Sequence, residues 1–593
     1  MRQSLARMPL RALSFERSSV RELARCRAVF ASTRSTASSV DADAEAPVTS
    51  DARGVKPNAS EILEKARAAR RTRDERVTAS ARGRKQPFNV DRPLRGGGAW
   101  GSGGAFAYGG ERVSARTSAE LNREIMDAQY PEEILEHVRV RSHLYNRVNC
   151  ATAWHRLGRT SRVNGRPRGW TSDERVAELE ATTRRLMSTF AVQNLTNIAW
   201  ACAVLKYKPR DDLLGSIAAR MGEMVAEFYP QALSNALWAY TVLKHPRAFA
   251  LAEALKPVIL ATLPENPDDE LKQAESAKDG VFSTQTVSNV LWTYATLGVH
   301  PGVELLDRLA AFILKSAGSF KAQELSNSCW SYARFGHYPG DEVLQTFERC
   351  LLERREEYTT QALANTSVGL SYFGGSGEGG LRKLFDDIPP SWFRLREGNS
   401  QDISNIVWAI ASVGAFESQV YKAAVRELFR RDVTDFQDEG LKALFHARLM
   451  QHDFAPDKDE VDVVYPDWVA DKGLKPWLEQ AEDTRVSTFQ QNVTDAVKRA
   501  GYEPTMEALT EDGLLSMDIC LNDKKLAIEC DGPTHFYSNA PEKMTQKTLI
   551  RNRHLEVRGW KVIMIPYYEW REVYVAGDLE TKAYVTKKIR ETL

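Results

Sequence analysis

Apolar residues recur at three- and four-residue steps through most of the chain after about residue 117, the spacing that places them on one face of an α-helix. Leu233, Leu237 and Tyr240 follow this rule in one stretch. Each stretch stops near a proline or a glycine, and a second periodic stretch follows, as at 213–228 and 303–317. The pattern therefore predicts paired helices.

The first helix of each pair repeats its own sequence. Five segments carry Gln, Asn and Trp at positions i, i+4 and i+7, and in a sixth Val368 replaces Trp; they start at Gln193, Gln231, Gln285, Gln323, Gln361 and Gln401. The intervals are 38, 54, 38, 38 and 40 residues, and the long one contains a polar insert at 264–279. Helix pairs with this period bury their apolar faces only against neighbours. We therefore expect an α-solenoid with a long concave surface over 184–455, after a degenerate, basic first unit at 117–183.

Residues spaced i, i+4 and i+7 form one stripe along a helix, so each unit presents an amide pair beside an aromatic ring. One interpretation is a ladder that stacks and hydrogen-bonds unpaired RNA bases. The alternative is a packing role, in which Asn bonds the neighbouring unit and Trp fills the core. Because the stripe is the same in every unit, it does not distinguish bases. The variable residue after Gln is the predicted base-reading position: Asn194, Ala232, Thr286, Glu324, Ala362 and Asp402.

The net charge of +1 conceals an uneven distribution of charge. Residues 1–116 hold 23 basic and 12 acidic side chains, and the rest of the chain is mildly acidic. Residues 138–172 are the exception, with eight arginines and no acid. This segment is the best predicted phosphate-binding surface, and a solvated basic flank is the alternative. Its arginines at the predicted RNA contact are Arg139, Arg141, Arg147, Arg156 and Arg159.

Residues 1–40 contain eight Arg, eight Ser and only two acids, a composition typical of organelle transit peptides. Arginine at position 2 favours the mitochondrial matrix, whereas the Ala- and Ser-rich stretch 28–40 keeps the chloroplast stroma open; a basic tail without targeting function is the other alternative. Residues 41–116, with a glycine tract at 95–110, are predicted to be an unstructured linker. No apolar run is long enough to span a membrane. The scattered cysteines argue against a disulfide framework or a zinc ribbon.

A second linker is predicted at 456–483, and the pattern then changes. An amphipathic helix at 487–501 precedes β-rich runs at 515–521 and 526–531. A helix at 543–558 and a strand at 561–565 follow. The order α-β-β-α-β predicts a small α/β domain over 484–593.

Two resemblances cover these regions. The core Gln-x-Leu-Ser-Asn-x-x-Trp-Ala, over about 137–455, resembles the octotricopeptide repeats of algal organellar RNA-binding proteins and the helical region of FAST-kinase-domain proteins. Residues 527–536 (AIECDGPTHF) and 559–570 (GWKVIMIPYYEW), with Arg551 and Arg553 between them, resemble the RAP domain over about 484–575. That resemblance implies a restriction-endonuclease-like fold and an RNA-directed role in an organelle. It also implies phosphate contacts by Arg551, Arg553 and Lys561, although the family's usual Lys-x-Arg reads Arg551-Asn552-Arg553 here.

Carboxylates of the predicted hairpin offer a catalytic alternative. If Asp523-Lys524 is its turn, Asp518 lies opposite Glu529, and Asp531 shares their face. With His535, these three carboxylates would hold Mg²⁺ and activate water for phosphodiester cleavage. Nucleases of the class that RAP resembles place Lys two residues after the Glu, where this chain has Asp531; Lys525 or Lys547 would have to replace it. We therefore expect a non-catalytic protein without a cofactor. The alternative is a nuclease that uses Mg²⁺ at this site.

The sequence as a whole predicts an organellar protein that binds single-stranded mRNA or rRNA and acts in RNA processing, stability or translation. A mitochondrial ribosome or a ribonucleoprotein granule is a further expected partner. The alternatives are a metal-dependent endoribonuclease and a non-catalytic scaffold of an organellar ribosome or granule, which the acidic body would suit. Tyr567, Tyr568 and Trp570 would either stack bases or belong to the core.

Overall fold

A computed structural model describes residues 115–167, 169–264, 282–375, 380–455, 463–482 and 486–593. The predicted transit peptide, nearly all of the linker at 41–116 and most of the polar insert lie outside these residues. The chain forms two compact units. Among the described residues, the larger unit comprises 115–480 and 531–559, and the smaller comprises 481–530 and 560–593.

The larger unit is built from helix pairs, as the repeat predicts. Its first helices are α1 (Ala115–Asp127), α3 (Arg147–Asn164), α5 (Val192–Val204), α7 (Pro230–Val242), α9 (Thr284–Leu297), α11 (Ala322–Phe335), α13 (Thr360–Tyr372), α15 (Ser400–Ser412) and α17 (Asp438–Phe454). The second helices are α2 (Pro131–Arg141), α4 (Glu174–Leu186), α6 (Leu213–Glu223), α8 (Ala248–Thr262), α10 (Val303–Ser316), α12 (Asp341–Glu353), α14 (Gly380–Asp387), α16 (Gln419–Leu428) and α18 (Asp467–Glu482).

Each first helix packs on the first helix of the next pair, so that α1, α3, α5 and their successors form one continuous layer. A tyrosine two residues after Trp fastens this layer to the second helices. The hydroxyls of Tyr240, Tyr294 and Tyr332 donate to the carbonyls of Leu214, Ala252 and Leu306 at 2.6–2.8 Å. These rings are fully buried, and each bond joins a first helix to the second helix of the preceding pair. These bonds fasten the three central units, α7, α9 and α11, to the helices before them. The continuous layer of first helices confirms the predicted α-solenoid.

A β-hairpin from further along the chain completes the larger unit. It consists of β4 (Phe536–Tyr537) and β5 (Ala540–Met544), and α20 (Gln546–Val557) follows it. The Ser538 amide donates to the carbonyl of Gly336 at 2.7 Å, and the Asn539 side chain exchanges two hydrogen bonds of 2.8 Å with the backbone of Tyr338. The hairpin thus pairs with the end of a repeat helix.

The smaller unit is the predicted α/β domain with additions. Its elements are α19 (Thr488–Arg499), β1 (Thr505–Leu509), β2 (Ser516–Leu521), β3 (Leu526–Asp531, whose last residue falls in the larger unit), β6 (Lys561–Pro566), α21 (Tyr567–Ala576) and α22 (Asp578–Thr592). The sheet order is β1-β2-β3-β6. Antiparallel pairs such as Ile519 with Ile528 and Leu521 with Leu526 give the predicted register, which faces Asp518 with Glu529.

The sequence misplaced some elements of this region. The predicted helix at 543–558 begins only at Gln546, because Ala540–Met544 is a hairpin strand. Strand β1 and the hairpin were not predicted. Tyr567, Tyr568 and Trp570 lie on α21, where Trp570 is buried in the core of the smaller unit and Tyr568 is exposed.

The described cysteines are all buried and free. Among the helices of the described ranges, none combines the length and the apolar character that a bilayer crossing requires.

Candidate nucleic-acid interface

The Gln, Asn and Trp stripe lies on the surface of the first-helix layer. In every unit from α5 to α15 the Gln is exposed and the Asn is half-buried, and Trp or its replacement Val368 is half-buried as well. Trp200, Trp238 and Trp408 each pack one side against the core. The packing interpretation holds only in part, because the tryptophans rest on the core but do not fill it.

One asparagine of the row also joins neighbouring units, and another is held by the glutamine of its own helix. Asn289 on α9 donates to the hydroxyl of Ser234 on α7 at 2.8 Å, and Gln401 donates to Asn405 one turn further along its helix at 2.9 Å. These contacts hold the amides in fixed positions on the surface. We call this exposed row the stripe; its members are Gln193, Asn197 and Trp200 and their equivalents in the later units.

The predicted base-reading positions beside Gln face inward instead. Ala232, Thr286, Glu324, Ala362 and Asp402 are all buried, and Asn194 is half-buried. Three of them cap their own helices, because the side chains of Asn194, Glu324 and Asp402 accept the amide hydrogen three residues earlier at 3.0–3.1 Å. This is the reciprocal half of a capping box. The residue after Gln is therefore the wrong candidate for reading bases, since one helical step turns it from the surface to the interior.

Four of the five predicted arginines are engaged by the protein itself. Arg139 pairs with Glu136 and Arg141 with Glu124. Arg147 donates to the carbonyl of Thr189 at 3.0 Å, and Arg156 to that of Ala128. These four are thus held by local partners. Within the described residues, Arg159 is the member of the predicted set with neither an ion pair nor a side-chain hydrogen bond to the protein.

Arg159 and Arg162 on α3 line a groove of about 570 Å³. The stripe supplies the rest of its wall: Asn197 and Trp200 from α5, Gln231 and Asn235 from α7, and Gln285 from α9. His155 lies one turn before Arg159, with its ring centroid 5.0 Å from that of Trp200. Two cations, several amides and an aromatic ring thus border one hollow that spans four first helices.

His155 is uncharged near neutral pH. Burial, followed by the charges of Arg159 and Arg156, keeps its pKa below the ordinary value. Sequence reasoning missed His155 because its residue type differs from the repeated Trp, but its ring lies beside Trp200 and lines the same groove. It extends the aromatic stripe by one unit toward the N-terminus.

The second predicted site surrounds Asp531 in the larger unit. Its carboxylate is buried, and Oδ1 lies 2.8 Å from Nη2 of Arg551 and 3.1 Å from Nδ1 of His535. Burial alone would raise the pKa of Asp531, but the His535 hydrogen bond and the Arg551 charge outweigh burial and hold the pKa below its ordinary value. Arg551 also donates to Asn552. The Arg551 guanidinium therefore has two partners within the protein and is half-buried.

The remaining predicted residues have other partners. In the smaller unit, Asp518 accepts the amide hydrogen of Cys530 at 2.8 Å, Glu529 is buried, and Lys561 donates to the carbonyl of Leu593 at 2.8 Å. In the larger unit, Arg553 is exposed, with its guanidinium 4.4 Å from the centre of the Phe454 ring.

The described residues do not fit a Mg²⁺ site. No cluster of three or more His, Cys, Asp or Glu side chains within the described ranges is arranged to hold a metal ion. The local contacts explain this for two of the carboxylates, since Asp531 is neutralised by Arg551 and Asp518 is bonded to the β3 backbone.

Comparison with known proteins agrees with the C-terminal resemblance. A curated rice protein (Oryza sativa subsp. japonica) named "RAP domain-containing protein, chloroplastic" is 24% identical over 189 residues. That alignment covers 31% of this chain and 29% of the rice protein, so the chain spans less than a third of its relative. Residues 528–588, which run from β3 into α22, match the family model described as RAP domain. The chain therefore carries a RAP domain at its C-terminus.

Proposed function

We propose that this protein binds single-stranded organellar RNA along the stripe and thereby acts in mRNA or rRNA processing, stability or translation. The observation that carries the proposal is the groove in which Arg159 and Arg162 stand beside Trp200 and the amides of Asn197 and Gln231. The RAP domain adds a second region with an RNA-directed role.

The chemistry of the groove suits an unpaired polynucleotide. Any base can stack on an exposed indole, and amide side chains supply both donors and acceptors to base edges. Arg159 and Arg162 supply positive charge for phosphates in a body that is otherwise mildly acidic. Regularly repeated half-exposed rings flanked by amides match the regular spacing of bases in a polynucleotide better than the irregular surface of a folded protein.

We propose the chloroplast stroma as the location, which the name of the rice relative, "RAP domain-containing protein, chloroplastic", supports. The mitochondrial matrix, which Arg2 favours, has no support from this relative and is the alternative location. The Arg- and Ser-rich residues 1–40 lie outside the described ranges, and their targeting function is tested by a fusion protein. A fluorescent protein fused to residues 1–60 would co-localise with plastids rather than with mitochondria, and a cytosolic signal would contradict organellar targeting.

RNA binding is tested by fluorescence anisotropy on a pool of single-stranded oligonucleotides of about 12 nucleotides at several salt concentrations. Affinity should fall steeply with salt, because bound lysines and arginines displace counterions from phosphate. The double variant Trp200→Ala with Trp238→Ala removes two stacking surfaces worth about 1–3 kcal/mol each, so we expect at least a thirtyfold loss.

One control and one charge variant make the result interpretable. Phe249→Ala removes an exposed aromatic ring from the second helix α8 and should leave affinity unchanged. Arg159→Gln with Arg162→Gln changes only charge on an exposed helix end and should weaken binding without affecting thermal unfolding. A flat salt response, or equal loss with Phe249→Ala, would favour the protein-scaffold alternative instead.

A further inference from the structure

Histidine replaces Trp at both ends of the stripe. At the C-terminal end this is His446 on α17, one 38-residue period after Trp408. Nε1 of Trp408 donates to Nδ1 of His446 at 3.2 Å, and the ring of Trp477 lies beyond, 4.8 Å from that of His446. The row therefore runs through eight positions, of which seven carry a ring and one carries Val, and it ends as it begins with an imidazole: His155, Trp200, Trp238, Trp292, Trp330, Val368, Trp408 and His446.

Lysines stand beside this last position. Lys442 precedes His446 by one turn on α17, so the two share a face. Lys547 lies in the first turn of α20, the RAP helix that packs on α17. Neither lysine makes an ion pair within the described part of the chain, and both belong to the larger unit.

The two lysines lie on helices that pack on each other, and the first turn of α20 also reaches α15, where Gln546 donates to the carbonyl of Ser412 at 3.4 Å. Lys547 is exposed, yet the protein around it removes part of its water, and the charges of Lys442 and Arg551 further lower its pKa. Two of the carboxylates in this region are already paired. Asp531 pairs with Arg551, and Asp453 pairs with His554 and Arg558. Positive charges held together without a counterion indicate a place for an anion.

The N-terminal end of the row has the same chemistry. There Arg159 follows His155 by one turn, and Arg162 lies one turn further on, again without a carboxylate partner among the described residues. Between the two ends, Trp, Asn and Gln dominate the exposed row. Arg334 on α11 is an intermediate cation, with its guanidinium 6.0 Å from the centre of the Trp330 ring.

We propose that Lys442 and Lys547 form a second phosphate-binding site that grips the backbone of the RNA strand at the far end of the stripe. This inference rests on the proposed function and specifies its substrate. A strand held at both ends, with one base per helical repeat between them, is a single-stranded segment of about eight nucleotides. The RAP helix α20 would thus take part in RNA binding through Lys547 as well as through Arg551 and Arg553.

The double variant Lys442→Gln with Lys547→Gln tests the site, with oligouridylates of about 12 nucleotides as the probe. The slope of log affinity against log salt should decrease by about 1.4, since each phosphate contact on a single strand contributes about 0.7. Lys475→Gln is the matched control, because Lys475 is an exposed lysine that pairs with Glu479 on α18. An unchanged slope in the double variant would overturn the proposal.

Shortening the oligonucleotide locates the contact. Wild-type protein should lose affinity when nucleotides are removed from either end of a segment of about eight. The Lys442/Lys547 variant should lose sensitivity at one end only, and the Arg159→Gln, Arg162→Gln variant at the opposite end. Loss of sensitivity at the same end would contradict the two-ended site. If the wild-type protein did not bind these RNAs, the proposed function itself would fail.

Discussion

The carboxylate of Asp453 lies 2.6 Å from Nδ1 of His554, and both side chains are buried. Asp453 ends the last repeat helix α17, whereas His554 lies on the RAP helix α20. Nη2 of Arg558 approaches the same carboxylate at 3.0 Å, and Nδ1 of His452 approaches its other oxygen at 2.8 Å. A single buried acid thus fastens one helix of the RAP domain to the end of the repeats.

Asp453→Asn should destabilise the larger unit by about 3–5 kcal/mol, the usual cost of removing one partner from a buried ion pair. Arg558 would then face a neutral amide, and one of the hydrogen bonds to the carboxylate would be lost. Urea unfolding followed by circular dichroism measures the loss. Asp435→Asn, an exposed acid preceding the same helix, should change stability by less than about 0.5 kcal/mol. Equal effects of the two substitutions would contradict the anchoring role.

Acid should destabilise the fold partly through His446. Burial, followed by the charge of His554, lowers the pKa of His446 to about 3, with Lys547 and Lys442 acting in the same direction and Asp453 opposing them. The folded state therefore stays unprotonated as pH falls from about 6.5, while the unfolded state takes up a proton. Stability contributed by this residue is present near neutral pH and is lost as pH decreases toward 3.

The measurement compares free energies of unfolding at about pH 7 and about pH 4.5. His446→Phe removes the titrating group and should lose less stability on acidification than the wild type. His143→Phe replaces an exposed histidine and should behave like the wild type. The same loss in all three proteins would show that His446 does not contribute to the acid sensitivity.

The repeat could be predicted because its period is written directly in the sequence. The Gln, Asn and Trp spacing fixed a common helix face, and the structure exposes that face. The positions beside Gln could not be assigned so easily, because Asn194 and Asp402 are polar residues whose function is to cap a helix. A polar residue type alone does not reveal whether its hydrogen bond goes to a ligand or to the protein backbone.

The RAP region shows a different limit of sequence reasoning. The register of β2 and β3 followed from the turn between them, but the partners of Asp531 did not. Arg551 lies 20 residues away on a separate helix, and only the tertiary fold brings its guanidinium to the carboxylate. His446 was missed for a related reason, since it matches the repeat in position but not in residue type.

Val368→Trp should strengthen RNA binding. Among the six repeats matched in sequence, the one that starts at Gln361 has Val368 in place of Trp. Val368 is half-buried like the tryptophans but offers no ring on which a base could stack. A new indole would add about 1–3 kcal/mol of stacking, or roughly a tenfold gain in affinity. Anisotropy with oligonucleotides carrying a single abasic site checks the mechanism. The wild type should tolerate one abasic position that the variant does not, and Val368→Ile should behave like the wild type.

Asp531→Asn should lower stability without removing any Mg²⁺-dependent activity. Asp531 is buried against Arg551 and His535, so an amide would leave the guanidinium without its charged partner and cost about 3–5 kcal/mol. Labelled RNA incubated with Mg²⁺ or with EDTA should show the same absence of cleavage in wild type and variant, because the Asp531 carboxylate is already neutralised by the protein. Glu542→Gln, an exposed acid on β5, is the matched control for stability.

Cleavage that requires Mg²⁺ and disappears in Asp531→Asn, but not in Glu542→Gln, would instead establish a nuclease. In that case Arg551 would have to release Asp531 when RNA binds, and Arg551→Lys, which cannot form the same forked contact, should then raise the cleavage rate.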